Sequence, residues 1–185
     1  MLIGIEGADR SGKTSLLQPL ASALGAIPIT RLETSKDTAK CWPWIEPVYL
    51  HLLEQLYWPS LTYVTDRSMT VSAQVYAAVF NRPVLFDPAP WRDREVVVYV
   101  ETPLSVLNQR WHEEGGNEVF PMKLYERTLA EYERVLKDYR VVRVSGVADT
   151  AQNVRFLLGA LSVFRRPIVD FVPGSLGRLG SGDRL

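Results

Sequence analysis

The residues with the clearest chemistry form a glycine-rich run near the start of the chain, Gly7-Ala8-Asp9-Arg10-Ser11-Gly12-Lys13-Thr14. This run has the spacing G-x-x-x-x-G-K-[ST], which predicts a loop whose backbone N–H groups surround a phosphate. Lys13 would reach the β- and γ-oxygens of a nucleoside triphosphate, and the Thr14 hydroxyl would bind Mg²⁺. With Ser15 added, the run is the predicted binding site for ATP and its magnesium.

The setting of this run strengthens the prediction. A short apolar segment at Leu2–Glu6 precedes it, and the helical pattern of Lys13–Leu24 follows directly. A phosphate-binding loop needs both neighbours, because the helix N-terminus contributes N–H groups and a positive dipole end to the bound anion. A glycine-rich turn with a surface lysine is the weaker interpretation.

A second group with candidate chemistry is the pair Asp66-Arg67, at the end of a predicted strand. In an open α/β sheet the carboxyl ends of the strands face the crevice where ligands bind. There Arg67 could bind an acceptor phosphate or sugar through its forked guanidinium. Asp66 could hold magnesium-bound water or accept a hydroxyl proton. A surface ion pair that ends the strand is the alternative.

The elements that must position these groups alternate between short β-branched runs and longer helical patterns. This alternation predicts βαβ units and a doubly wound α/β fold, with a parallel five-stranded sheet and helices on both faces. The predicted strands are Leu2–Glu6, Ile27–Thr30, Leu61–Thr65, Val96–Glu101 and Arg140–Val144. The predicted helices are Lys13–Leu24, Pro47–Leu56, Met69–Phe80, Leu104–His112, Pro121–Lys137 and Thr150–Phe164.

Breaker residues predict the loops and the domain limits. Asn81–Arg94 holds three prolines, and Glu113–Val119 holds a Gly-Gly-Asn run among acidic residues, which we expect to form a short lid. After Arg166 the chain is rich in Gly, Ser and Arg. We therefore predict one domain over 1–166 and a flexible or docking tail over 167–185. Pro121 is expected in the first turn of its helix.

Composition limits the partners and the compartment. Lys plus Arg and Asp plus Glu are equal at 21 each, so no overall positive field would gather a nucleic acid. Cys41 is the only cysteine, and the two histidines form no metal-binding spacing with it. The sequence shows neither a signal peptide nor an apolar stretch of membrane-spanning length, so we expect a cytoplasmic protein without a membrane partner.

Two motifs resemble those of a known family. The run from Ile5 to Thr14 resembles the E-G-x-D-x-x-G-K-[ST] loop of thymidylate kinases. Asp66-Arg67-Ser68 is similar to their D-R-[YFSW] motif and to the E-R-S motif of deoxynucleoside kinases. The resemblance covers about Leu2 to Phe164 and implies a P-loop NTPase fold and an ATP-dependent kinase. Its acceptor would be a deoxynucleoside monophosphate, with dTMP or a related pyrimidine nucleotide as the first choice.

The resemblance also implies roles for individual residues. One class of thymidylate kinases carries an arginine after the aspartate of the loop and lacks catalytic arginines in the lid. Arg10 is present here, and His112–Val119 contains no Lys or Arg, so Arg10 would stabilise the transferred phosphoryl group. Asp9, Asp66 or Glu33 would handle the hydroxyl proton or metal-bound water.

The acceptor side departs from the family pattern. Arg31 and Glu33 partly match an arginine-glutamate-proline run of thymidylate kinases, but the proline is missing. In deoxynucleoside kinases a glutamate in this place acts as base on the acceptor hydroxyl, so Glu33 keeps that interpretation open. Arg31, Glu33, Arg67 and Gln74 are the predicted acceptor-binding residues, with Gln74 as the candidate that selects the base.

Three alternatives to a monophosphate acceptor remain. The acceptor could be a nucleoside hydroxyl, or a hydroxyl on a modified base or end of DNA, where Arg165, Arg166 and Arg178 could touch the backbone. A regulatory module that binds ATP is the alternative outside enzymes. The predicted partner is a small-molecule nucleotide, and a homodimer is possible because members of the family are often dimers.

Overall fold

The sheet has the predicted composition and an all-parallel order. The computed structural model describes residues 1–30, 61–84, 87–115 and 121–164. Within these ranges five strands pair in parallel in the order β2-β3-β1-β4-β5. They are β1 (Leu2–Glu6), β2 (Ile27–Ile29), β3 (Tyr63–Asp66), β4 (Glu95–Glu101) and β5 (Arg140–Ser145). In this order the apolar strand β4 lies next to the central strand, β1.

Six α-helices connect these strands within the described ranges. They are α1 (Lys13–Leu24), α2 (Met69–Val79), α3 (Ala89–Arg92), α4 (Leu104–Glu113), α5 (Leu124–Val135) and α6 (Thr150–Ser162). A single 3₁₀ turn over Leu136–Asp138 follows α5. The helix predicted at Pro47–Leu56, most of the lid and the tail at 167–185 lie outside the described residues. None of the described helices has the length and apolar character needed to cross a membrane.

The helices differ from the prediction in several details, of which three are the clearest. The segment Asn81–Arg94, predicted as a loop, contains the short helix α3, because Trp91 is buried and anchors that turn in the protein interior. Helix α5 begins at Leu124, three residues after Pro121, because the carbonyl of Pro121 accepts only a turn hydrogen bond from Leu124 N. Helix α6 ends at Ser162 instead of Phe164.

Alternate residues of the strands point to opposite faces and build two different layers. On one face, Val96, Val98 and Val100 of β4 pack with the apolar residues of α1 and α6. On the other face, Val97 and Tyr99 pack with α2 and α5. A continuous apolar strand such as β4 is expected where helices cover both faces. The parallel arrangement also brings the ends of β1, β3, β4 and β5 to one edge, where the site forms.

Candidate active site

The glycine-rich run forms a tight loop that leads into α1. Gly12 is the N-cap of α1 and has φ 97°, a left-handed conformation that glycine adopts without the strain a side chain would add. Arg10 also lies in the left-handed region, with φ 62°. A turn hydrogen bond from Ser11 N to Ala8 O, 3.2 Å long, closes the loop. The loop therefore presents the N-terminus of α1 to the cleft, as phosphate binding requires.

Lys13 folds back over this loop. Its side chain is buried, and Nζ donates to Ala8 O at 2.6 Å and to Ser11 Oγ at 3.4 Å. Burial, with the nearby Arg67 cation, lowers the pKa of Lys13 to about 7, although the carboxylates of Asp9, Glu6 and Asp66 oppose this shift. A phosphate entering the loop would supply the negative charge that favours the ammonium form.

One cleft of about 520 Å³ joins the loop to the end of β3. It is lined by the loop residues from Asp9 to Ser15, by Asp66 and Arg67, and by Arg110, Ser145 and Asn153. The structure thus brings together most of the predicted site residues. Arg110, Ser145 and Asn153 were not predicted as cleft residues, since nothing in their local sequence marks α4, the end of β5 or the start of α6 as part of a site.

Arg67 is held firmly at the end of β3. Its φ of 81° is unusual for a residue with a side chain, and such strain occurs most often at functional sites. Nη1 of Arg67 donates to the hydroxyls of Tyr76 at 3.1 Å and Tyr132 at 3.4 Å, and lies 3.9 Å from Glu6 Oε2. No described residue forms a hydrogen bond with Nε or Nη2, so that side of the guanidinium remains available to a ligand in the cleft.

Glu6 is the buried centre of this polar cluster. It accepts hydrogen bonds from Ser72 Oγ at 2.6 Å and from Tyr132 OH at 2.8 Å. Burial raises the pKa of Glu6, and the Arg67 guanidinium is the strongest opposing influence. In the sequence, Glu6 stood out only as the glutamate of the thymidylate kinase-like loop motif. A carboxylate within an otherwise apolar strand was the signal that it needed a buried partner.

Arg10 donates hydrogen bonds to one residue at the start of the predicted lid and to one residue that follows the lid. Its Nε donates to Glu114 Oε2 at 2.6 Å, and its Nη1 donates to Tyr125 OH at 3.2 Å. The Arg10 side chain is 8% exposed, while that of Glu114 is 60% exposed. Both Arg10 and Glu114 line the cleft, so this guanidinium lies beside the space for the phosphates.

Arg110 connects two walls of the cleft. Its Nη1 donates to the carbonyl oxygen of Arg10 at 2.8 Å, and its Nη2 donates to that of Gly146 at 2.9 Å. The side chain therefore ties the phosphate-binding loop to the loop after β5. Arg110 was not among the predicted site residues.

The oxygen donors of the cleft fit a magnesium ion. The Thr14 hydroxyl and the Asp9 and Asp66 carboxylates line the same space, and Mg²⁺ prefers such oxygen ligands together with phosphates and water. Neither carboxylate forms a hydrogen bond or ion pair with another described residue. No cluster of three or more His, Cys, Asp or Glu suited to a metal occurs in the described ranges, so a metal held by protein ligands alone has no candidate there.

Gln74, one of the predicted acceptor-binding residues, does not line this cleft. Gln74 Nε2 donates to Thr70 O at 2.8 Å and to Tyr139 OH at 2.7 Å, which ties α2 to the residue before β5. Base selection by Gln74 stays a prediction that the cleft geometry does not support. Arg31 and Glu33 lie outside the described residues, as do the aromatic residues between them and β3.

The sheet order and the glycine-rich loop between β1 and α1 define the P-loop NTPase fold. The chain is similar in structure to the YorR protein from Bacillus subtilis, solved with phosphorylated GDP. The TM-score is 0.64 at 21% identity, over 90% of this chain and all of that one. No family model and no curated protein matches the sequence.

Two kinases have a comparable likeness. Deoxyadenosine kinase from M. mycoides, solved with dATP, has a TM-score of 0.60 at 15% identity, over 88% of this chain and all of that one. Thymidylate kinase from Candida albicans has a TM-score of 0.60 at 18% identity, over 88% of this chain and 91% of that one. These likenesses confirm the fold that the sequence resemblance implied.

Proposed function

We propose that this protein is an ATP-dependent kinase that transfers the γ-phosphoryl group to a deoxynucleoside monophosphate, with dTMP or a related pyrimidine nucleotide as the first choice. One observation carries the proposal: Lys13 of the phosphate-binding loop and Arg67 of a separate strand line the same cleft. Two phosphate-binding cations on two elements fit two phosphorylated ligands that meet between them.

The chain's own residues would act mainly by positioning and charge. Lys13 and Arg10 would neutralise the oxygens of the γ-phosphoryl group, which leaves ADP and bonds to an oxygen of the acceptor phosphate. Arg67 would hold that acceptor phosphate through the unpaired side of its guanidinium. Thr14 and Asp66 would hold the magnesium ion, which would supply positive charge to the phosphates of ATP. Asp9 and Asp66 would orient water bound to that ion.

A nucleoside hydroxyl is the second candidate acceptor. The fold is as close to a deoxyadenosine kinase as to a thymidylate kinase, with a TM-score of 0.60 in both comparisons. A nucleoside has no phosphate for Arg67 to bind, and its hydroxyl needs a base, the role predicted for Glu33. A hydroxyl on DNA and an ATP-binding regulatory role remain outcomes of the same test.

The test is a transfer assay with labelled ATP and a panel of dTMP, other monophosphates, nucleosides and oligonucleotides. Transfer to a monophosphate with at least tenfold preference over its nucleoside supports the proposal. Preference for the nucleoside supports the second candidate, and label on an oligonucleotide supports a DNA acceptor. ATP hydrolysis at one rate with and without every acceptor would favour the regulatory role.

Lys13→Ala tests the donor half of the site. Removing a preorganised cation beside the developing charge is expected to cost about 2–4 kcal/mol of transition-state stabilisation, or about 30- to 1,000-fold in kcat/KM. Steady-state kinetics on the preferred acceptor measure the loss. Lys137→Ala, at an exposed position after α5, is the matched control and should keep full activity. Unchanged ATP turnover in Lys13→Ala would refute the assignment of the loop.

The cytoplasmic location, the homodimer and the separate tail at 167–185 stay predictions. Gel filtration coupled to light scattering would decide the oligomeric state. A variant that ends at residue 166 would show whether the tail is needed for transfer.

A further inference from the structure

Glu95 is a buried carboxyl group with no role in the proposed transfer. It is the first residue of β4, is 2% exposed, and lies under the start of α2. Its Oε2 accepts hydrogen bonds from Ser68 Oγ at 2.7 Å and from Thr70 Oγ1 at 3.2 Å. No described Lys, Arg or His forms an ion pair with it. A buried carboxyl without a cation is costly, so its presence calls for a reason.

The sheet leaves room for this carboxyl group at one position of the neighbouring strand. Gly4 of β1 pairs with Val97 of β4. A Cβ at position 4 would collide with Glu95 Oε1. The same Cβ would lie 2.7 Å from Ser68 Cβ. The absence of a side chain at position 4 is therefore what allows Glu95 and Ser68 to meet over β1.

The hydrogen bond from Ser68 to Glu95 fixes the start of α2. Ser68 is the N-cap of this helix, and its Oγ accepts from Val71 N at 3.2 Å. A hydroxyl has a single proton, and here that proton is donated to Glu95. Glu95 thereby orients the lone pairs of Ser68 towards the free N–H groups of the helix, which is the arrangement a cap requires.

Arg67, the residue before Ser68, depends on that start. Its left-handed backbone is held by a 3.0 Å hydrogen bond from its N to Ile5 O. Its carbonyl accepts from Thr65 Oγ1 at 2.9 Å. These contacts hold the turn from the strand side, while Glu95 holds it from the helix side through Ser68. Strained residues persist only where their surroundings fix them in this way.

We infer that Glu95 is a positioning residue that holds the Arg67–Ser68 turn, and with it the guanidinium of Arg67, by accepting the Ser68 hydroxyl proton. The value of this for acceptor binding rests on the proposed function, which assigns Arg67 to the acceptor phosphate. The geometric part of the inference does not depend on which acceptor is used.

The inference implies that the turn responds to pH. Burial raises the pKa of Glu95 to about 7; the Glu6 carboxylate adds to this shift, and the hydrogen bonds from Ser68 and Thr70 oppose it. The hydroxyl of Tyr139, which precedes β5, also faces this group. A protonated Glu95 would donate to Ser68 instead of accepting from it. At a pH higher than about 7 the turn is therefore held by the hydrogen bond from Ser68 to Glu95. At a lower pH this hydrogen bond is altered.

The first test follows the Arg67 Nε–Hε and Val71 N–H resonances by NMR from pH 5.5 to 8.5. The Lys13→Ala background is used because the pKa of Lys13 is also about 7. Both resonances should show a transition near pH 7 that Glu95→Gln removes, since the amide still accepts from Ser68 but does not titrate. Glu101→Gln, at the exposed end of the same strand, is the matched control and should keep the transition.

A kinetic test uses ATP and dTMP at pH 8. Glu95→Ala should raise KM for dTMP about tenfold and leave KM for ATP within twofold, while Glu95→Gln should stay within twofold for both. If Glu95→Ala does not fold, the comparison of wild type with Glu95→Gln at pH 6 and pH 8 takes its place. There the wild type should lose more dTMP affinity at pH 6 than Glu95→Gln does.

The results separate the two claims. A wild-type protein that does not phosphorylate dTMP refutes the choice of acceptor, and the spectra still decide the role of Glu95. Arg67 resonances that titrate equally with Glu95 and with Glu95→Gln, both in the Lys13→Ala background, overturn the inference. An equal rise in KM for ATP and dTMP in Glu95→Ala also overturns it, because it indicates a general structural defect.

Discussion

The two faces of the sheet differ in how they are filled. On the face covered by α1 and α6, the packed core consists of Ile, Leu, Val and Ala side chains. On the face covered by α2 and α5, Glu6, Arg67, Glu95 and the hydroxyls of Ser72 and Tyr132 are buried among the apolar residues. This second face supports the turn that carries Arg67.

This difference suggests that one face of the sheet contributes mainly to stability and the other face mainly to positioning the site. Apolar burial contributes about 25 cal/mol per Å² with little demand on geometry, whereas buried charges stabilise a fold only when every partner is in place. The polar face therefore fixes the orientation of side chains such as Arg67. The apolar face supplies stabilising free energy that offsets the cost of burying those polar groups. Perturbing each face should accordingly give a different balance of stability and activity.

The largest effect is expected from Glu6→Ala. Removing this carboxylate leaves the Arg67 guanidinium buried without its nearest anion, which should lower the free energy of unfolding by about 3–5 kcal/mol. Acceptor KM should rise as well, because Arg67 loses a contact that orients it. Urea unfolding and steady-state kinetics measure the two. A stable variant with normal acceptor KM would show that the polar cluster has no role in positioning.

Leu20→Ala tests the apolar face. Leu20 is fully buried in α1, so the cavity should lower the free energy of unfolding by about 2–5 kcal/mol. Unlike Glu6→Ala, it should leave both KM values unchanged at temperatures where the variant is folded. Gln18→Ala, on the exposed side of the same helix, is the control. A selective change in acceptor KM would contradict the proposed division between the faces.

The pH dependence of stability gives a third comparison, between wild type and Glu95→Gln. The folded pKa of Glu95 is about 7 against an ordinary 4.5, so the folded state binds more protons between these values. Its contribution is complete below about pH 4.5 and is lost as the pH rises to about 7, a change of about 3 kcal/mol. Urea unfolding from pH 5 to 8 should show wild-type stability falling relative to the variant. A constant difference would contradict the raised pKa.

The smallest effect is expected on the surface. Glu133 accepts two hydrogen bonds from Arg143, at 2.7 and 2.8 Å, but its side chain is 53% exposed. Glu133→Gln should change the free energy of unfolding by less than about 1 kcal/mol, because water and salt screen such pairs. A larger loss in urea unfolding would mean that ion pairs stabilise this protein regardless of burial, and the contrast with Glu6 would disappear.

Features that depend on residues close together in the chain could be predicted from the sequence. The phosphate-binding loop, the strands around it and the carboxyl-end position of Asp66 and Arg67 follow from local patterns that the structure reproduces. Contacts between distant parts of the chain could not be predicted in this way. Glu6 and Tyr132 are 126 residues apart, and Arg110 lies 100 residues from the carbonyl of Arg10.

Local patterns were also misleading where packing outweighed them. The prolines around residue 88 predicted a loop, but the buried Trp91 makes a helical turn favourable there. Gln74 was chosen because amides suit base recognition, yet its amide is used within the protein. In both places a residue's type limits its chemistry, while its surroundings decide which part of that chemistry is available.

The tight packing at Gly146 bears on any attempt to redesign the cleft. A Cβ at this position would overlap Thr102 Oγ1 and would lie 2.7 Å from the carbonyl oxygen of Ser11. Substitutions at residue 146 would therefore displace Thr102 and the glycine-rich loop instead of reshaping the walls of the cleft. Asn153 and Ser145, which also line the cleft, are better positions from which to alter its shape.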